Sequence, residues 1–113
     1  MAFDEKLATR VRKRLGKRSG LSEKQMFGGI AFLLNGNMCV GVHGDELIVR
    51  LAPEDTADAL AQANTHAFDL MGRPMKSPMK GWILVKPKGL ATDAALGKWV
   101  GIGTKYAASL PPK

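Results

Sequence analysis

Residues 26–51 read MFGGIAFLLNGNMCVGVHGDELIVRL, and this stretch decides the fold. Ile30 to Leu34 is an unbroken apolar run. Asn35-Gly36 behind it is the strongest short hairpin signal, because a two-residue type I′ turn needs positive φ at both central positions. Asn37 to Val42 then returns as a second strand. His43-Gly44-Asp45 marks the next turn. Leu47, Val49 and Leu51 alternate with Ile48 and Arg50 at the period of a half-buried third strand. Short strands joined by tight turns describe an antiparallel meander.

Upstream of the meander, Phe3, Leu7, Val11 and Leu15 recur every four residues with Ala8 beside them. That spacing predicts a helix over Ala2 to Leu15, stopped by Gly16. Gly16 to Gly20 is a polar connection. Leu21 to Phe27 suits either a single helical turn capped by Ser22 or an extended lead. Gly28-Gly29 then permits a backbone path that side chains would forbid.

Downstream, Pro53 suits the first turn of a second helix, with Glu54, Asp55 and Asp58 near its positive end. This helix carries Ala57, Leu60 and Ala61 and ends near Ala63-Asn64. Thr65 to Met71 forms a short strand. Gly72 to Gly81, with two prolines and three bases, is a loop. Trp82 to Val85 is a compact apolar strand closed by Lys86-Pro87-Lys88-Gly89. Thr92 caps the last helix, whose buried face is Leu96, Trp99, Val100, Gly103, Tyr106, Ala107 and Leu110. Gly97, Gly101 and Gly103 each lower its intrinsic stability by about 1 kcal/mol relative to alanine, so packing must hold it. The order is α-β-β-β-α-β-β-α. Strands grouped in hairpins predict an α+β domain: an antiparallel sheet of about five strands with flanking helices, spanning residues 1–113 as one unit.

A chain of 113 residues builds a stable core without staples. Its one cysteine, Cys39, excludes an intramolecular disulfide, and with no signal-like N-terminus a cytoplasmic location is expected. The longest apolar run is far too short to cross a bilayer, so no membrane association is expected. The net charge is +7, and residues 1–24 hold eight bases against three acids. Arg10, Arg12, Lys13, Arg14, Lys17 and Arg18 form the densest part. A solvated helix face with acids at its start and bases at its end explains the cluster; contact with nucleic acid is the alternative. No aromatics interleave with these bases, which argues against stacking on single strands. Arg73, Lys76, Lys80, Lys86 and Lys88 make a second basic group around the Trp82 strand. Phosphate contact gains weight if the two groups share a face.

Chemistry-bearing motifs are sparse. Met26-Phe27-Gly28-Gly29 is followed by a strand and no Gly-Lys-Ser/Thr, so it reads as a tight turn and not as a phosphate-binding loop. Cys39, His43 and His66 are the one trio that suggests thiol chemistry. Cys39 falls mid-strand in apolar surroundings, where an inert buried thiol is expected. Met71, Met75 and Met79 are soft-metal ligand types at a spacing of four, but Pro74 and Pro78 forbid the helix that would align them. No Ser/His/Asp set or carboxylate pair can be assembled. The expectation is a protein that is not an enzyme and carries no cofactor, metal or catalytic residue.

MAFDEKLATRVRKRL at the start, MFGGIAFLLNGNMCVGV, FDLMGRPMK, the KGWILV strand and the closing ASLPPK together resemble the N-terminal domain of the TfoX/Sxy family. The resemblance implies a secretion-chaperone-like α+β fold. Its namesakes are positive regulators of competence that act with a cyclic-AMP-receptor-type activator at promoters, and they add a C-terminal helical domain. The chain here is expected to stand alone. The family's Gly-Arg-Pro-Met-Lys-Gly-Trp continuation is interrupted by Ser77-Pro78-Met79-Lys80, which lengthens the 72–81 loop. On this basis the expected function is a small regulatory or protein-interaction domain with a transcription-associated protein partner. The expected contact residues are Phe27, Gly28, Gly29, Arg73, Pro74, Met75 and Trp82, presented with a strand edge and the basic helix. Self-association into a homodimer through a strand edge or helix is a further expectation. Direct nucleic-acid binding through the basic helix is the runner-up.

Overall fold

The computed structural model describes residues 3–17, 19–26, 29–67 and 81–112. In it the chain forms helix α1 (Glu5–Leu15), strands β1 (Leu21–Met26), β2 (Gly29–Leu34), β3 (Asn37–His43) and β4 (Glu46–Arg50), and the short helix α2 (Thr56–Leu60). Strands β5 (Thr65–Ala67) and β6 (Trp82–Val85) and helix α3 (Asp93–Ser109) follow. The six strands make one antiparallel sheet in the order β1-β2-β3-β4-β6-β5. The architecture is the expected α+β one with one strand more.

The extra strand is β1. It pairs with β2 along its whole length, from Leu21↔Leu34 to Met26↔Gly29. Of the two readings of this segment, the extended one holds over Leu21–Met26, and Ser22 lies inside the strand and caps no helical turn. LSEKQM is an edge strand with Ser22 to Gln25 exposed. Its pairing rests on backbone hydrogen bonds, which leave no apolar period to read.

The turn after β2 forms as its residues demand. Asn35 has φ 54° and Gly36 φ 84°, and Leu34 pairs with Asn37 across them. Asn37 is buried, and its Nδ2 donates to the Pro111 carbonyl at 2.9 Å, tying the segment after α3 to the sheet. Past Phe32 the register shifts: Phe32 faces Val40 and Leu33 faces Met38, so Cys39 is the inserted residue. Such a bulge re-aims side chains, and both Cys39 and Val40 join the main core. The Cys39 thiol donates to the Phe32 carbonyl at 3.1 Å.

Helices α1 and α3 cover one face of the sheet. Leu7, Ala8, Val11 and Leu15 from α1 meet Leu96, Trp99, Val100 and Ala107 from α3 over Phe32, Val40, Leu47, Val49 and Ile83. Asp4 caps α1, its Oδ1 accepting from the amides of Lys6 and Leu7, and Thr92 caps α3 through the Ala95 amide. Tyr106 and Leu110, assigned to the buried face of α3 by spacing, are only half-buried; Thr104 is buried in addition. Strand β4 also departs from its half-buried pattern. Ile48, between Leu47 and Val49, is 0% exposed and belongs to a second apolar cluster with Ala31, Met38 and Leu84 on the opposite face.

Candidate functional site

Residue types around α2 assemble an open groove. Pro53 starts a 3-10 turn over Pro53–Asp55, and α2 follows directly. Thr56, buried at the first position of α2, accepts the Gly81 amide on its Oγ1 at 2.7 Å, while the Leu51 amide donates to the Gly81 carbonyl at 3.0 Å. These bonds hold α2 against the end of the sheet and beside α3. Between the two helices lies a cavity of about 420 Å³. Leu51, Ala59, Trp99, Ile102 and Tyr106 supply its apolar lining. Asp55, Asp58 and Gln62 stand on the α2 side, with Lys105 and Ser109 on the α3 side. The Lys98 ammonium donates to Gln62 Oε1 and bridges the two walls.

At the end of β4 the Arg50 guanidinium lies 5.3 Å from the centre of the Trp82 ring and 5.5 Å from that of Tyr106. Both are cation–π distances. Trp82 also packs, half-buried, against the second apolar cluster. Through Arg50 and Tyr106 it is therefore joined to the groove.

Of the expected partner-contact residues that are described, Trp82 does not line the cavity but reaches its Tyr106 through Arg50. Gly29 opens β2, and a Cβ there would collide with the Val42 carbonyl oxygen, so its bareness serves close strand packing. The register puts Gly29 toward the Val85 end of the sheet and Trp82 at the other end, so the structure does not bring them together. Phe27, Gly28, Arg73, Pro74 and Met75 lie outside the described residues, as do Met71, Met79 and most of the 72–81 loop.

Two of the basic residues of α1 form ion pairs within the molecule. Arg12 makes a two-pronged ion pair with Glu23 of β1, with contacts of 2.9, 3.0 and 3.1 Å. Its hydrogen bond to Glu23 raises the guanidinium pKa further above its ordinary value. Arg10 reaches Asp93 at 3.4 Å, and the Arg14 guanidinium lies against Gly97 of α3. Lys13 and Lys17 are exposed with no ion pair among the described residues, and Arg18 lies outside them. Among the described residues, the two basic groups approach each other near Pro87; Arg73, Lys76 and Lys80 lie outside them. Lys6 and Arg10 share a hollow with Asp4, Asp45 and Pro87, and Lys86 and Lys88 share the next with Asp45 and Glu46. Acids stand in both hollows.

The thiol trio is divided by the sheet. Cys39 is 0% exposed on the helix-covered side, whereas His66 pairs with Leu84 of the opposite cluster and contacts Glu46 at 2.5 Å. Among the described residues, no three of His, Cys, Asp and Glu gather as a metal-binding group.

The groove itself escaped sequence reasoning, since its walls come from segments some forty residues apart that each look like ordinary helix. One signal pointed to it: Glu54, Asp55 and Asp58 fall in a span, Leu51 to Gly72, that holds no Lys or Arg.

A six-stranded antiparallel sheet with helices on one face and an open groove between α2 and α3 defines an α+β domain. The chain belongs to the TfoX N-terminal domain family, whose model matches residues 13–106. No curated protein and no solved structure matches it. Among the described residues, no helix is long and apolar enough to cross a membrane.

Proposed function

We propose that this protein is a non-enzymatic regulatory domain that acts by binding a protein partner, as the TfoX/Sxy resemblance implies for transcription-associated control. The observation that carries this is the apolar-floored groove between α2 and α3, which adjoins the Arg50–Trp82–Tyr106 stack. Exposed aromatic and aliphatic side chains rimmed by polar groups are what partner surfaces are built from. Direct nucleic-acid binding has less support, because Arg10 and Arg12 already face acids of the same chain.

The test is a pull-down with the intact chain as bait, repeated with Trp82→Ala and Tyr106→Ala after melting curves establish that both variants fold. The wild type retains a partner that each variant loses. An unchanged set of retained proteins rejects this function. A non-enzymatic role also predicts that a metabolite panel leaves the melting temperature unmoved, since a ligand that binds only the native state raises it.

A further inference from the structure

The groove between α2 and α3 has a wall opposite in sign to the molecule as a whole. The net charge is +7, yet Asp55 and Asp58 stand along one side of the cavity. Neither carboxylate has an ion-pair partner among the described residues. Beside them lie Ile102 and Tyr106, half-buried, which leave apolar surface open to water over the buried Trp99. At about 420 Å³ the cavity is within the range of roughly 300–1,000 Å³ typical of binding clefts.

We propose that this groove docks an amphipathic segment of a protein partner that seats aliphatic side chains on Ile102 and Tyr106 and sets Lys or Arg opposite Asp55 and Asp58. This rests on the protein-binding function proposed above and narrows it to one surface and one chemistry. The lining selects the occupant. Lys105 lines the α3 side and Lys98 is held by Gln62, so the acidic character is confined to the α2 side. There the unpaired carboxylates of Asp55 and Asp58 favour a cation, and the apolar floor rewards aliphatic groups. Two helical walls around an apolar trough match the way grooves take up an added amphipathic helix. A second copy of this chain cannot fill the role with α1, its own basic helix. The apolar stripe of α1, Leu7, Val11 and Leu15, is buried in its own core.

The sign of charge makes the test decisive. A protein at +7 draws acidic peptides to itself non-specifically, so a preference for a basic one must arise locally. Two dye-labelled synthetic helical peptides with identical leucine spacing, one completed with lysine and the other with glutamate, are titrated against the full chain by fluorescence anisotropy. The Leu–Lys peptide is expected to bind at least about tenfold more tightly than the Leu–Glu peptide. The double variant Asp55→Asn, Asp58→Asn changes only exposed positions and so keeps the fold. It is expected to weaken the Leu–Lys peptide by about tenfold and to flatten the salt dependence of its binding. Ile102→Asn, checked by its melting curve, weakens both peptides. Tighter binding of the Leu–Glu peptide, or unchanged binding of the Leu–Lys peptide to the Asp55/Asp58 variant, overturns the proposal. If either occurs while Tyr106→Ala still loses the pulled-down partner, protein binding stands and the basic-segment chemistry falls. If Tyr106→Ala also keeps every partner, both fall.

Discussion

Helices α1 and α3 cover the same face of the sheet and use their conspicuous residues in opposite ways. α1 carries the densest charge in the chain, and two of its bases are paired with acids of the same molecule: Arg12 with Glu23, Arg10 with Asp93 from the start of α3. α3 carries three glycines, a composition that argues for a weak helix, and it forms one wall of the groove. Charge that is prominent in a sequence can already be satisfied in the fold. A binding surface can come from residues with no prominence at all. The difference lies in tertiary partners, which neither helix announces by itself.

The contrast breaks most sharply at Gly103. A Cβ there would collide with the Cys39 carbonyl and approach Val40 Cγ1 to 2.7 Å, so this glycine is the point where α3 touches β3. Gly103→Val forces the helix off the sheet, and overpacking of this kind costs roughly 3 kcal/mol. A urea titration should show a lower midpoint with an unchanged slope. The groove wall moves with α3, so partner binding should fall as well. A variant as stable as the wild type would mean that α3 is not held at this contact.

Gly101 sharpens the same comparison in the opposite direction. It lies on the exposed side of α3 with no atom within 4 Å of an added Cβ. Gly101→Ala should therefore stabilise by about 1 kcal/mol, read as a rise of several degrees in melting temperature. The same change at Gly103 should not stabilise. Helix propensity decides at the first position, and steric contact decides at the second.

Legibility in the sequence followed the same division. Asn35-Gly36 is visible because its turn chemistry is local, and Trp82 to Val85 because a compact apolar run needs no partner to be recognised. Strand β1 was ambiguous, since LSEKQM is held chiefly by backbone pairing with β2, and only Leu21 among its described side chains packs on the core. The burial of β4 on both faces was hidden, because alternation with Arg50 marks the Ile48 face as polar when only its end is. Trp82 was singled out among the candidate contact residues, but its link to Tyr106 through Arg50 joins residues from three separate elements. No window of sequence contains that link. The acids of α2 looked like helix-dipole complements, which they also are; their second role as a groove wall needed α3 beside them.

The smallest expected effect concerns α1, and it asks whether its charges act inside the molecule. Arg12 and Glu23 keep 44% and 40% of their side-chain surface exposed, so water and salt screen their attraction despite the two-pronged geometry. Arg12→Ala should cost only about 0.5 kcal/mol at low salt, and less as salt is added. Lys13→Ala, which breaks no ion pair among the described residues, should cost nothing measurable. A double-mutant cycle with Glu23→Ala assigns the loss to the pair if the two single effects fail to add. The pH dependence has a definite sign. The Glu23 hydrogen bond raises the Arg12 pKa in the folded state. A raised folded pKa gives stability that is complete below the unfolded value and lost only as pH climbs through the folded one. Both values lie in the strongly alkaline range of guanidinium groups. The Arg12→Ala penalty should therefore stay flat between roughly pH 6 and 9. A penalty that changes within that window would place its origin in a group other than the guanidinium, and α1 would then owe its position to something besides the Glu23 contact.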